Sequence, residues 1–255
     1  MTHVPVDEVF GDDYLYFYAD WLTDERSDRE AAVIADLARL EPGDRVLDVP
    51  CGHGRIANRL AARGARVVGI DVTPSFIDIA RADAAERGVT ADFRLGDMRD
   101  LDVADAEFDV VVNWFTAFGY FDDDIDRQVL AGFRRVLAPG GLLIVDTINR
   151  EHVARLQTIP GRPAFVAERG DDFMFDRPVL DLLTGRSETE RVTIRDGVVR
   201  RTHFSVRVLT VPEWREWLNT AGFGEPAFLD EDGAPFTGAG HRLVIVAPAD
   251  RAVRR

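Results

Sequence analysis

From Arg45 onward, short apolar runs rich in valine and isoleucine alternate with stretches whose apolar residues recur at helical spacing. This alternation limits the fold more than any other feature of the chain. The strand candidates are RVLDVP (45–50), RVVGID (66–71), DFRLGD (92–97), FDVVVNWF (108–115) and GLLIVDTI (141–148); helical segments at 54–63, 74–87 and 125–137 lie between them. Strands that are apolar along their length need cover on both faces, and the intervening helices supply it. The pattern therefore predicts an α/β layer, a doubly wound and mostly parallel sheet.

After Asn149 the period changes. Residues 164–210 alternate polar and apolar side chains and carry two turn candidates, Thr184-Gly185 and Asp196-Gly197, which predicts an antiparallel β insertion. A helix over 212–222 follows, with Pro212 near its start and Gly222 past its end. Strands near 225–230 and at RLVIVAPA (242–249) bring the main sheet to seven. The first forty residues hold an aromatic cluster, Tyr14, Tyr16, Phe17, Tyr18 and Trp21, then a helix through REAAVIADLARL. The expected division is a helical cap over 1–40, a ligand-binding α/β core over 41–149, an antiparallel lid over 150–210 and a return to the core over 211–255. The closing run DRAVRR is expected to fray.

Composition narrows the partners. A single cysteine, Cys51, excludes an internal disulfide framework, and the acid-rich first thirty residues lack the apolar run of a signal peptide. No apolar run approaches the roughly 20 residues that span a bilayer, so no membrane role and a cytoplasmic location are expected. With 45 acids against 31 bases, all of them arginine, the formal charge of -14 argues against nucleic acid as a partner. Residues 150–215 differ, holding 12 Arg against 10 acids.

The stretch LDVPCGHGRIANRL (47–60) places a Gly52-x-Gly54 corner at the head of the first strand, where open parallel sheets bind ligands. Two ligand types compete for it. Gly52-x-Gly54-x-x-Ala57 is a weak dinucleotide fingerprint and would make the chain an NAD-dependent oxidoreductase. Asp48, four residues before the first glycine, would repel a pyrophosphate and suits a cationic ligand instead.

At this point the chain resembles the class I S-adenosylmethionine (SAM)-dependent methyltransferases, in which an acid precedes a glycine-rich corner. Pro50 departs from the glycine or alanine common in its slot. The resemblance continues in order. Asp71 ends the second strand, Asp97 and Met98 follow the third, Asn113 and Trp114 end the fourth, and FRRVLAPGGLLIVDT leads into the fifth. It implies a Rossmann-like methyltransferase fold, SAM as the methyl donor and S-adenosylhomocysteine as the product. It further implies a cofactor site of Asp48, Pro50, Cys51, Gly52, Gly54, Arg55, Asp71, Val72, Asp97, Met98, Asn113 and Trp114, with Tyr14 and Tyr18 of the aromatic cap closing over it. Asp71 would take the ribose hydroxyls, Asp97 and Met98 the adenine, and Asn113 the amino group.

The acceptor side is read more coarsely. Trp114, Phe115, Phe118, Tyr120 and Phe121 are expected as a group to wall a small-molecule pocket, with Phe118, Tyr120, Asn149, His152 and Arg177 as substrate contacts and His152 and Tyr14 as catalytic candidates. His203 and His241 are the other histidines considered as bases, while His53 is expected to face solvent or the mouth of the cofactor site and Cys51 to be inert. Asp146 and Asn149 are too few ligands for a metal there, so none is expected. The acceptor atom stays open between nitrogen, oxygen and carbon, among sugars, amino acids and natural-product intermediates. The insertion permits a homodimer. A protein that binds SAM without catalysis is the second alternative.

Overall fold

The structure is a computed structural model that describes residues 9–156 and 165–250. Parts of the expected cap and lid, and the expected fraying of 251–255, lie outside the described residues. Helices α1 (Asp12–Tyr18) and α2 (Asp24–Ala38) come first. The core follows as β1 (Arg45–Asp48), α3 (Ala57–Ala62), β2 (Arg66–Asp71), α4 (Pro74–Arg87), β3 (Ala91–Leu95), β4 (Phe108–Asn113), α5 (Asp123–Val136) and β5 (Leu137–Ile148). Then come α6 (Arg150–Leu156), β6 (Phe165–Arg169), β7 (Asp172–Asp181), β8 (Arg186–Arg195), β9 (Val198–Arg207), α7 (Val211–Thr220), β10 (Ala227–Leu229) and β11 (Arg242–Pro248).

The main sheet has seven strands in the order β10-β11-β5-β4-β1-β2-β3. Strands β1 to β5 run parallel and β11 runs antiparallel to both its neighbours, β5 and β10, so that it alone is reversed in the sheet, which is the Rossmann-like methyltransferase arrangement expected. The chain order reverses between β1 and β4, so the crevice beyond those two strand ends is the switch point of the sheet. Apolar packing on the two faces explains the unbroken valine runs. Leu47 and Val111 pack with Phe133 and Trp214 on one side, while Val46 and Val110 pack with Ile34 and Leu60 on the other.

The main differences from the sequence reading concern the ends of elements. Strands β1 and β4 stop at Asp48 and Asn113, two residues early, because the chain then turns into the crevice. Helix α3 begins at Ala57 because the glycine corner occupies residues 52–56. Strand β5 begins at Leu137, running through the Pro-Gly-Gly segment beside a register shift in β4. The N-terminal helix starts at Asp24, where the Thr23 hydroxyl accepts from Arg26 N at 3.2 Å.

The insertion forms a second, antiparallel sheet in the order β6-β7-β8-β9. Asp196 and Gly197 both have positive φ, 52° and 74°, as the predicted two-residue β8–β9 turn requires. The inner face of this sheet covers α1, where Phe17 packs on Ala167 and Met174.

Candidate active site

The cavity lies beyond the heads of β1, β2 and β4, with α1 over it. Its floor is the glycine corner. Gly52, at φ 54°, donates its N–H to Asp71 Oδ2 at 2.8 Å, and Thr73 N donates to Asp71 Oδ1 at 2.9 Å. The end of β2 therefore fixes the corner after β1, and Gly52 supplies the left-handed backbone this requires. Asp48 is 2 % exposed and lines the cavity, and its Oδ2 has no hydrogen-bond partner. Burial pushes its carboxyl up to about 7, with Asp71 adding to the rise and Arg55 opposing it. Burial also pushes the Cys51 thiol well up, and the nearby Asp48 and Asp71 reinforce the shift, so the thiol is inert.

The back wall is a charge cluster that the sequence reading missed. Glu30 Oε1 accepts from Arg26 Nε at 2.7 Å; its Oε2 accepts from an Arg55 terminal nitrogen at 2.5 Å and from Trp114 Nε1 at 3.0 Å. Burial would raise this carboxyl, but Arg55 and Arg26 outweigh it and hold it below its usual value. The clue was there: Glu30 shares the face of α2 that buries Ser27, Ala31 and Ile34, and a charge on a buried stripe needs a partner. Next to it, Phe115 and Thr116 both adopt positive φ, 65° and 59°. Asp146 holds them there, its Oδ2 accepting from Phe115 N and its carbonyl from Thr116 N, each at 2.9 Å. A buried ion pair with Arg242 orients Asp146 in turn. The guanidiniums of Arg26, Arg55 and Arg242 surround the Phe115 ring at 5.2, 5.2 and 5.4 Å.

Many expected residues meet in this cavity: Asp48, Pro50, Cys51, Gly52, Arg55, Asp71, Val72, Asp97, Met98, Trp114, Tyr14 and Tyr120. Asp97 is already engaged. It accepts from Arg99 Nε at 3.0 Å and from an Arg99 terminal nitrogen at 2.5 Å, and Arg99 overcomes the upward push of burial to hold the carboxyl low. Burial pushes the Tyr14 phenol up to about 12 despite the surrounding arginines, so it stays protonated and can donate a hydrogen bond but does not act as a base.

The structure moves seven other expected residues away from the cavity. Gly54 serves helix packing instead, since a Cβ there would stand 2.7 Å from Ala80 Cβ on α4. Asn113 is fully buried and donates to Val49 O at 2.8 Å, tying β4 to the exit of β1. Tyr18 lies one layer back, stacked between Tyr14 at 4.4 Å and Phe165 at 4.6 Å. Phe118 is core, 5.0 Å from Trp214. Asn149 caps α6 through Glu151 N and donates to the carbonyls of Gly238 and Gly240. His152 sits on α6 with its ring 5.0 Å from that of His241. Arg177 is on the exposed face of β7, paired with Glu190 at 3.3 Å. His53, expected at solvent or the mouth of the cofactor site, lines the cavity, as do Phe115 and Phe121 of the expected aromatic wall; Phe10, Phe76 and Thr116 line it too, without having been expected there.

Residues 46–141 match a family described as a methyltransferase domain. A ubiquinone biosynthesis O-methyltransferase of Hahella chejuensis is 39 % identical over 120 residues, covering 47 % of this chain and 50 % of the relative. The chain thus matches about half the length of that relative. Among solved structures, the CcbJ methyltransferase of Streptomyces caelestis superposes with a TM-score of 0.76 at 23 % identity, over 94 % of this chain and 98 % of that one. The SAM-bound amino pentose methyltransferase CalS10 of Micromonospora echinaspora gives a TM-score of 0.61 at 24 % identity, over 88 % and 91 %. At these identities the two structures share the fold.

Proposed function

We infer that this chain, which carries a methyltransferase domain over residues 46–141, transfers a methyl group from SAM to a small-molecule acceptor. The carrying observation is the partnerless, buried Oδ2 of Asp48 at the cavity floor. A buried carboxylate oxygen without a donor is costly, and the ammonium of SAM would supply that donor. A pyrophosphate would meet two carboxylates there, Asp48 and Asp71, which weighs against the NAD reading.

The remaining residues fit the same ligand. Arg55 lines the cavity 5.2 Å from the Phe115 ring, and its guanidinium suits a carboxylate. Each Asp71 oxygen accepts one backbone amide and keeps a lone pair for a ribose hydroxyl. Met98 would pack on the adenine, and Asp97 would reach its exocyclic amine by giving up part of its pairing with Arg99. When bound, SAM supplies an electrophilic methyl on a sulfonium. The chain's own part is to hold both charged ends, align the acceptor and exclude water.

The name of the Hahella relative supports oxygen as the acceptor atom. The division into cap, core and lid is part of the same reading. A homodimer through the outer face of the four-stranded sheet is supported by exposed Val166 and Val199 beside Phe173 and Phe175, and a cytoplasmic location by the single buried Cys51.

Titration calorimetry tests the core of the proposal. SAM and S-adenosylhomocysteine are expected to bind and NAD is not. Binding of NAD alone would overturn it, and SAM binding without turnover of any acceptor would favour the non-catalytic reading.

A further inference from the structure

The Hahella relative matches only about half of this chain, so the acceptor has to be read from the cavity itself. Five rings from four segments form a continuous belt in its wall. His53, at the glycine corner, stands 6.3 Å from Phe76 in the first turn of α4. Phe76 stands 6.0 Å from Tyr14, Tyr14 stands 5.6 Å from Phe10, and Phe10 stands 5.4 Å from Tyr120. All five line the cavity.

The belt carries no carboxylate and no guanidinium. A cationic acceptor would lie beside the sulfonium of the donor, and a polyhydroxylated one would find only two phenol hydroxyls and one imidazole in the belt as partners. A flat ring presents apolar faces to the belt and meets neither difficulty. Tyr14 and Tyr120 offer hydroxyls, but burial pushes both phenols up, so neither takes a proton. His53 is the belt member with a basic nitrogen.

Resting on the methyl-transfer reading above, we propose that the acceptor is an uncharged, flat ring compound bearing a hydroxyl, and that His53 is the general base that takes the hydroxyl proton. In the step, an oxygen lone pair forms the bond to the methyl carbon and the carbon–sulfur electron pair returns to sulfur. The O–H proton passes to the imidazole. The oxygen becomes strongly acidic as its bond to carbon forms, so a weakly basic imidazole suffices. The charged groups that face His53 are Arg55 and Arg59 from its own corner and α3, and Asp83 from α4. Burial first, then the two arginines, push the imidazole down to about 4 against the pull of Asp83, so its lone pair is free at neutral pH.

The test uses the full chain with catechol, aniline, glucosamine and glycine as acceptors, after calorimetry with SAM. Failure to bind SAM would sink the methyl-transfer reading itself. Given SAM binding, catechol is expected to be methylated and the other three are not. His53→Gln is expected to slow catechol turnover about 100-fold or more. SAM binding, and catechol binding to the protein loaded with S-adenosylhomocysteine, are expected to stay within about threefold. The wild-type rate is expected to be flat from about pH 6 to 8, while the variant gains about tenfold per pH unit because it depends on the ionised acceptor. For the same reason 4-nitrocatechol, already ionised at the assay pH, restores most of the lost rate. A SAM-binding protein that methylates glucosamine, glycine or aniline but not catechol overturns the inference. So does a His53→Gln variant equally impaired on both catechols, or as fast as wild type on both.

Discussion

Burial raises the Asp48 carboxyl to about 7 from an ordinary value of 3.8, and this sets a sign for two pH dependences. Its folded-state value lies above its unfolded one. Its contribution to stability is therefore complete below about 4 and lost as pH rises through about 7. Cofactor binding runs the other way, since an ammonium selects the ionised carboxylate. The SAM dissociation constant is expected to fall about tenfold between about pH 5.5 and 7. Asp48→Asn should flatten that slope and weaken binding at pH 7 by about 1 to 3 kcal/mol. Calorimetry across pH reads both, and an unchanged slope in the variant would remove Asp48 from the ammonium site. Glu30 shows a second residue-scale lesson. It lies far in sequence from every strand end and belongs to no motif, yet it joins Arg26, Arg55 and Trp114 behind the cavity.

Between β4 and α5, residues 114–122 wall one side of the cavity and are gripped from outside. Gly119 O accepts from Arg207 N at 2.6 Å, and an Arg186 terminal nitrogen donates to Phe121 O at 2.9 Å. Gly119 has φ 100°, and a Cβ there would stand 2.4 Å from Arg207 O, so two independent constraints demand glycine. Gly119→Ala must push the loop off the root of the four-stranded sheet and carry Tyr120 and Phe121 with it. The expected result is a rise of about tenfold in the acceptor KM with the SAM dissociation constant within about threefold, because Gly119 lies beyond Trp114 and Phe115, which Glu30 and Asp146 anchor separately. Steady-state kinetics with calorimetry would separate the two. Equal losses in both would mean that the loop serves SAM as well. Helix α7 is simpler: its capping box, Thr210 with Glu213, is complete, and a T-x-x-E pattern needs only local sequence.

At the scale of the molecule, the four-stranded sheet clasps α1, which carries Tyr14 into the cavity. Arg191 on β8 is buried and forms a two-pronged pair with Asp176, both contacts at 2.8 Å, while another nitrogen donates to Val9 O at 3.1 Å. Asp13 of α1 accepts from Arg195 at 2.8 Å and from Arg200 at 2.6 Å. The relative arginine richness of 150–215 therefore serves acids of this chain, on α1 and within the sheet, and Arg177 and Arg201 likewise meet Glu190. Removing one partner of a buried pair strands the other's charge. Arg191→Ala is expected to cost about 3 to 5 kcal/mol in urea unfolding, and the Arg191→Ala, Asp176→Ala double variant less than the sum of the singles. Additive losses would show that the pair is not coupled.

The sequence by itself determined the doubly wound sheet, the antiparallel insertion and much of the cavity wall. Helical and strand periods, glycine corners and turn pairs express local backbone preferences, and a local preference is written in adjacent residues. Only the tertiary structure decided which side chains at the strand ends face the crevice. Asn113 turns back to Val49 while its neighbour Trp114 lines the cavity, and Phe118 enters the core two residues before Tyr120 reaches the belt. The same packing sent His152 away and brought His53 in. Once the strand period ends, a side chain's direction follows from whichever distant segment packs against it.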